Sequence, residues 1–133
     1  MKKIILALAL VGLISACQTT KDAPNLATLE VDFSWEGTKA CGSTPPAFTI
    51  TNIPDGTASL KFWMTDLDVP SFTHGGGTVK YTGSGSIPAG AFSYTGPCPP
   101  SPHDYEFEVT AINAAGDTVL GRGKAVKSFP PKQ

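Results

Sequence analysis

The strongest constraint on the fold of this chain is a strict alternation of apolar and polar side chains. It is clearest over residues 105–111, which read YEFEVTA, and it returns over residues 29–35 (LEVDFSW) and 60–65 (LKFWMT). A period of two places alternate side chains on opposite faces of a β-strand, so each stretch predicts a strand with one buried face. Beyond the N-terminal apolar segment, no stretch has the periodicity of a helix.

Turn-forming residues divide the chain into short segments. With 14 Gly and 12 Pro among 133 residues the connections are rich in turn chemistry, while 41% hydrophobic residues argue against a disordered chain. Further short strands are expected near residues 48–50, 78–82, 91–94 and 118–127. The sequence therefore predicts an all-β fold, a single β-sandwich domain of about seven short, mostly antiparallel strands.

The N-terminus has the features of an export signal. Met1-Lys2-Lys3 is basic, and residues 4–14 form an apolar run that as a helix would cover about 16 Å of a bilayer core of roughly 30 Å. Residues 14–17 (ISAC) resemble the end of a bacterial lipoprotein signal, in which the cysteine becomes the lipidated N-terminus. The alternative is an ordinary signal peptide cut nearby, with Cys17 incidental.

Lipidation at Cys17 would set the domain boundaries. The expected division is a signal peptide at 1–16 that is removed, a polar tether at 17–27, the β-sandwich at 28–129 and a tail at 130–133. Gln18 after the cysteine favours the outer membrane in this resemblance, so the protein is expected to be exported and lipid-anchored to the cell envelope. Loss of Lys2 and Lys3 would change the net charge from −1 to −3, and without a basic block nucleic acid is not an expected partner.

The remaining cysteines form an even number. Of three cysteines, lipidation of Cys17 leaves Cys41 and Cys98, in a compartment that permits disulfides. A bridge between them would close a long loop and stabilise the domain by about 4 kcal/mol in the chain-entropy model. One disulfide is therefore expected to staple the sandwich, and two buried free thiols are the alternative.

Four short motifs follow one another through the middle of the chain. They are DLDVP at 66–70 after PDGTASL at 54–60, His74, GPCPP at 96–100, and HDY at 103–105. Together they resemble the phosphatidylethanolamine-binding protein family, specifically its bacterial, Raf-kinase-inhibitor-like branch, over about residues 32–113. Cys41 matches a cysteine of that branch whose partner lies in the GPCPP segment, so the resemblance implies the same bridge to Cys98.

The chain also departs from the family pattern. Leu67 replaces the first proline of the aspartate loop, Gly75 replaces a tryptophan after the histidine, and Asp104 replaces an arginine. The stretch between His74 and Gly96 is short, and the later helical segments of the family have no counterpart. The chain thus resembles a reduced and divergent relative.

The resemblance implies a small cleft that holds an anion such as phosphate or a phospholipid head group. The residues it assigns to this cleft are Asp66, Asp68, Pro70, His74, Gly96, Pro97, His103 and Tyr105. Imidazoles and a phenol can donate hydrogen bonds to an anion, and the Gly75–Gly77 run can turn several backbone N–H groups toward one point. Asp66 and Asp68 cannot accept an anion, so we expect them to accept a histidine N–H and orient the ring.

Each of these residues also has a purely structural interpretation. The aspartates and Pro70 are ordinary turn residues, and both histidines could be solvated loop residues. Strict alternation would turn Tyr105 toward the core, and Gly75–Gly77 could be a flexible hairpin tip.

Catalysis is not expected. His74 with Gly75–Gly77 resembles an esterase oxyanion loop, but the chain has no G-x-S-x-G motif and is too short for that fold. No metal or cofactor is expected either, because His74, His103 and Asp66 lack the spacing of metal ligands. A second hypothesis comes from residues 105–116, which also resemble a late strand and turn of an immunoglobulin or fibronectin type III domain acting as a protein-interaction or structural module.

Overall fold

The computed structural model describes residues 19–132, which form two β-sheets. Eight strands follow one another along the chain: β1 (Lys21–Thr28), β2 (Glu30–Phe33), β3 (Phe48–Thr51), β4 (Thr57–Asp66), β5 (Gly75–Lys80), β6 (Ser86–Ile87), β7 (His103–Asn113) and β8 (Thr118–Phe129). One sheet has five strands in the order β1-β8-β7-β4-β5, and the other has three in the order β2-β3-β6. The predicted all-β fold is confirmed.

The centre of the large sheet is built by the strands whose alternation is clearest. β7 pairs antiparallel with β4 along nearly its whole length, from Asp66 opposite Tyr105 to Thr57 opposite Asn113. On its other side β7 pairs with β8, so these two long strands form a hairpin around residues 114–117. Except for the β1–β8 pair, every pairing is antiparallel.

Strand β1 occupies most of the segment expected to be a tether. Lys21 lies opposite Thr118 and Thr28 opposite Arg122, so β1 extends the large sheet by a parallel edge strand. The side chains of β1 remain mostly exposed at the sheet edge. Residues 21–27 are therefore polar and lack the alternation that would predict a strand. The expected signal peptide and Cys17 lie outside the described residues.

Aromatic side chains hold the two sheets together. Phe48 of the small sheet lies 4.8 Å from the ring of Phe62 and 4.8 Å from that of Phe107, which project from the two central strands of the large sheet. Trp35 and Phe33 extend this cluster, with ring centroids 4.9 Å apart. The alternation in β4 and β7 places these apolar side chains inward and leaves charged residues on the outer face.

Two local predictions differ from the structure. Residues 91–94, expected to pair as a short strand, form a loop whose Phe92 and Tyr94 side chains pack on the core. Gly75–Gly77, expected in a loop, begin strand β5 opposite Met64, Trp63 and Phe62. A Cβ atom at Gly76 would overlap the carbonyl oxygen of Phe62, so glycine permits this close pairing. Within residues 19–132 no helix is long and apolar enough to cross a membrane.

Candidate functional site

A cleft of about 450 Å³ opens at the end of the large sheet where β4 ends and β7 begins. Asp66, the last residue of β4, lies opposite Tyr105 of β7, and His103 begins β7. His74 reaches the same place from the loop that joins β4 to β5. All four side chains line the cleft, although Asp66 and Tyr105 lie 39 positions apart in the chain.

Asp66 is the centre of the hydrogen-bond network at the base of this cleft. Its Oδ1 accepts the backbone N–H groups of Asp68 at 2.9 Å and Val69 at 3.0 Å, which shapes the turn after β4. Its Oδ2 accepts the Nδ1–H of His103 at 2.7 Å. Burial raises the pKa of the Asp66 carboxyl, but the hydrogen bonds from His103 and the two backbone N–H groups outweigh burial and hold the pKa below its ordinary value. The carboxylate therefore remains ionised at neutral pH.

His74 is buried, and among the described residues only one of its two ring nitrogens makes a hydrogen bond. Its Nδ1 lies 2.6 Å from the carbonyl oxygen of Thr95, and because a carbonyl can only accept, Nδ1 carries the proton. The backbones of these two residues are also hydrogen-bonded, because the Thr95 N–H donates to the carbonyl oxygen of His74 at 2.8 Å. The Nε2 atom lies 4.0 Å from Oδ2 of Asp66, too far for a hydrogen bond, and makes no hydrogen bond among residues 19–132.

Tyr105 serves both the core and the cleft. Its side chain is only 1% exposed and its ring packs edge-on against His74 at 5.4 Å and parallel to His103 at 6.2 Å. Burial, with the negative charge of Asp66 added, raises the pKa of Tyr105 to about 12. The phenol therefore stays protonated and remains a hydrogen-bond donor at the base of the cleft.

The walls of the cleft are apolar and held by a disulfide. Cys41 and Cys98 form the expected bridge, with their Cα atoms 4.5 Å apart. Backbone bonds from Cys41 N–H to the Pro97 carbonyl and from Gly96 N–H to the Gly42 carbonyl, both 2.8 Å, join the two segments beside the bridge. The disulfide thus secures the segment whose Thr95 carbonyl orients His74. Further apolar lining comes from Val69, Phe72, Pro99 and Pro100.

The structure brings five of the eight sequence-predicted ligand residues into the lining of this cleft: Asp66, His74, Gly96, His103 and Tyr105. Pro97 is buried behind the wall, and Pro70 lies in the exposed loop after Asp66. Asp68 does not hold a histidine as expected, because its Oδ2 accepts the backbone N–H of Asp104 at 2.8 Å. Asp68 and Pro70 therefore shape the loop and do not line the cleft.

Two further expectations, one about backbone N–H donors and one about the charge of Asp104, differ from the structure. Gly75–Gly77 belong to β5 and pair with β4, so they do not form a nest of free N–H groups. The added charge of Asp104 is neutralised away from the cleft, since its Oδ1 accepts the Ser128 hydroxyl and the Lys132 ammonium. These two bonds hold the pKa of Asp104 below its ordinary value.

Several lining residues were not predicted as part of the site. Thr95 carries no sequence signal, because it acts through its backbone carbonyl. Phe72 is 51% exposed in the structure. An aromatic residue in a loop beside a matched motif is a sequence signal that could have indicated it. Val69, Pro99 and Pro100 lay inside the matched motifs but were assigned no role.

The same cluster offers ligand atoms for a cation. Atoms of Asp66, Asp68 and His103 lie within 4.8 Å of one another. The hydrogen bonds described above already use these atoms, with the His103 proton lying between its ring and Asp66. A cation would have to displace that proton, so the arrangement is explained without a metal.

A comparison with solved structures finds a protein of similar fold. The structure is similar to that of a candidate phosphatidylethanolamine-binding protein (PEBP) homologue from Chlamydia trachomatis, with a TM-score of 0.52 and 16% sequence identity over 82% of this chain and 99% of the other. The chain has a PEBP-like fold. No protein-family model and no curated protein matches the sequence. This likeness does not favour the immunoglobulin-like alternative, and at such low identity it concerns the fold alone.

Proposed function

We propose that this protein is an exported, lipid-anchored lipoprotein whose PEBP-like domain binds a small anionic or phosphorylated ligand in the cleft at the end of β4 and β7. The observation that carries the proposal is the Nε2 of His74, a buried side chain that lines the cleft. This nitrogen makes no hydrogen bond among residues 19–132 and lies 4.0 Å from an ionised carboxylate. A ring nitrogen left without a partner in a cleft favours a ligand that completes its hydrogen bonding.

Protonation of the imidazoles makes the base of the cleft more favourable for an anion. Asp66 contributes one negative charge and Asp68 a second beside His103, and two protonated rings would balance these charges. His74 would then donate from Nε2, because its Nδ1 is committed to Thr95. Histidine is the side chain whose charge changes between pH 5 and 8, so binding should strengthen as pH falls through this range.

The size and lining of the cleft argue for a ligand that is more than a bare ion. Its volume of about 450 Å³ is within the range of small-molecule sites, and a five-atom oxyanion would fill only part of it. The remaining space is bounded by Val69, Phe72, Pro99, Pro100 and the disulfide. An anionic group attached to a short apolar chain would satisfy both regions of the cleft.

The test is a titration with inorganic sulfate and hexyl sulfate followed by the ring signals of the two histidines in NMR spectra. Sulfates keep their charge between pH 6 and pH 8, so a change in affinity reports the protein alone. We expect affinity on the order of millimolar for sulfate at pH 6. Hexyl sulfate should bind at least tenfold more tightly because each buried CH₂ contributes about 0.8 kcal/mol. Both ligands should bind more weakly at pH 8.

Matched variants separate the cleft from general charge effects. His74→Ala should abolish the response of the remaining ring, whereas Asp104→Asn should leave affinity within about twofold, because Asp104 points toward Ser128 and Lys132. The binding proposal fails if neither ring responds at tens of millimolar ligand, or if the response survives His74→Ala. Mass spectrometry of the membrane fraction tests the anchor separately, since it should find an acylated N-terminal Cys17 peptide.

A further inference from the structure

The cleft and the start of β1 lie at opposite ends of the large sheet. At the cleft end Asp66, Tyr105 and Lys127 are neighbours across β4, β7 and β8. At the other end Thr57 pairs with Asn113, close to the turn that leads into β8. Asn113 lies eight positions after Tyr105 in β7, a distance of about 26 Å at roughly 3.3 Å per residue.

Strand β1 enters the sheet at the end away from the cleft. Because β1 runs parallel to β8, its first residue, Lys21, lies opposite Thr118, the first residue of β8. The Lys21 N–H donates to the carbonyl of Asp117 at 2.9 Å, which fixes this entry point to the β7–β8 turn. Because β1 starts beside the β7–β8 turn, a membrane attachment that precedes Lys21 in the chain is connected to this end of the domain.

The proposed anchor has a short reach. Three residues separate Cys17 from Lys21, and a fully extended chain of this length spans about 14 Å. Had residues 17–27 been a free tether, the reach would have been roughly 35 Å and either end of the domain could have met the bilayer. Pairing of β1 with β8 removes this freedom.

We infer that the cleft opens at the end of the domain farthest from the anchoring bilayer and takes an anionic amphiphile from the surrounding solution, not a head group of that bilayer. This inference rests on the proposed lipid anchor at Cys17 and on the proposed binding cleft. The mature net charge of −3 gives the domain no attraction toward an anionic surface that would lay it flat. The exposed side chains of Leu67, Val69 and Phe72, which form an apolar rim beside the cleft, then face solution and are available to the apolar part of the ligand.

A depth measurement tests the orientation. The mature lipidated chain, purified from membranes, is placed in phosphatidylcholine vesicles that contain head-group quencher lipids. A fluorescent label is attached to Leu67→Cys at the cleft end or to Ala115→Cys in the β7–β8 turn, both exposed positions. We expect the label at position 115 to be quenched at least threefold more strongly than the label at position 67. Equal quenching, or stronger quenching at position 67, would overturn the orientation.

A binding measurement tests the source of the ligand. In nanodiscs with or without phosphatidylethanolamine, soluble hexyl phosphate should shift the His74 and His103 ring signals equally. Phosphatidylethanolamine in the disc alone should leave the signals unchanged, and a shift caused by the disc lipid would overturn the inference. A chain that fails to float with vesicles contradicts the anchor and the orientation together. A chain that floats but shows no ring response to any ligand contradicts the binding proposal and leaves the depth result to decide the orientation.

Discussion

The two ends of the large sheet are held by different kinds of contact. At the β7–β8 turn, Asn113 accepts the N–H groups of Asp117 and Thr118, both at 3.1 Å and at most five residues away. At the cleft end the Asp66–His103 bond spans 37 residues and the disulfide spans 57. The turn end is a local structure that its own sequence specifies. The cleft end forms only when distant segments assemble, and there the Nε2 of His74 makes no hydrogen bond among the described residues.

Removal of the disulfide should have the largest effect on this difference. The double variant Cys41→Ala/Cys98→Ala should lower the free energy of unfolding by about 4 kcal/mol, because the unfolded chain regains the freedom of the long loop. Urea denaturation measures the loss. The variant should also disturb the His74 ring signal, since the bridge secures the Thr95 segment. A loss below about 1 kcal/mol with an unchanged His74 signal would contradict the stapling role.

Loss of the Asp66 carboxylate should have the next largest effect. Asp66→Ala leaves the partly buried His103 and two backbone N–H groups without their acceptor, so we expect a loss of about 2–4 kcal/mol in urea denaturation. The matched control at the other end is Asp117→Ala, an exposed carboxylate for which we expect a much smaller loss, as is usual for a surface contact. Equal losses would remove the contrast between the two ends.

The same carboxylate should make the domain sensitive to acid. Because the pKa of Asp66 is lower in the folded than in the unfolded chain, its stabilisation is complete above the unfolded value near 4 and is lost as pH falls through the folded value. Asp66→Asn removes this contribution, so the stability difference between wild type and variant should shrink below about pH 4. A difference that stays constant between pH 7 and pH 3 would contradict the assignment.

The close packing at Gly76 should contribute less to the stability of the domain than the polar network around Asp66. Gly76→Ala places a Cβ against the Phe62 carbonyl oxygen and should cost about 2–3 kcal/mol by forcing β5 away from β4. Gly83→Ala is the matched control, because Gly83 has a positive φ of 94° but open space around it, and should cost about 1 kcal/mol. Thermal unfolding of the two variants measures the difference, and a cost at Gly83 equal to or above that at Gly76 would contradict this packing.

Truncation of the local turn should have the smallest effect. Asn113→Ala removes side-chain bonds to Asp117 and Thr118 at the exposed turn, and we expect a loss of about 1 kcal/mol with no change in the histidine ring signals. Chemical denaturation and NMR spectra of one sample give both results. A shift of the His74 signal would mean that the two ends are coupled.

The contrast between the ends also explains what could be predicted from the sequence. Strands β4 and β7 were predictable because alternation is a local property of their residues. The Cys41–Cys98 bridge followed from parity and from the matched motifs. Strand β1 was not predictable, because an exposed edge strand has no buried face to impose a pattern.

The geometry of the cleft was only partly predictable. The matched motifs indicated Asp66, His74, His103 and Tyr105, and these side chains do meet. No local signal could assign His103 rather than His74 to the short bond with Asp66, or the Thr95 carbonyl to His74, because both depend on how loops cross at the sheet end. The role of Gly75–Gly77 changed for the same reason, since pairing with β4 is a non-local contact.

The protonation state of His74 tests the central claim most directly. Long-range ¹H–¹⁵N correlation spectra assign the proton to one ring nitrogen. With only two histidines in the chain, a His103→Gln variant assigns the His74 signals, which are then followed in the wild-type protein. We predict that at pH 8 the proton is on Nδ1, bound to Thr95, and that at pH 6 added hexyl sulfate shifts the Nε2 resonance. A proton on Nε2 at pH 8, or an Nε2 resonance that does not respond to the ligand at pH 6, would contradict the account of this cleft as a site built around an open histidine nitrogen.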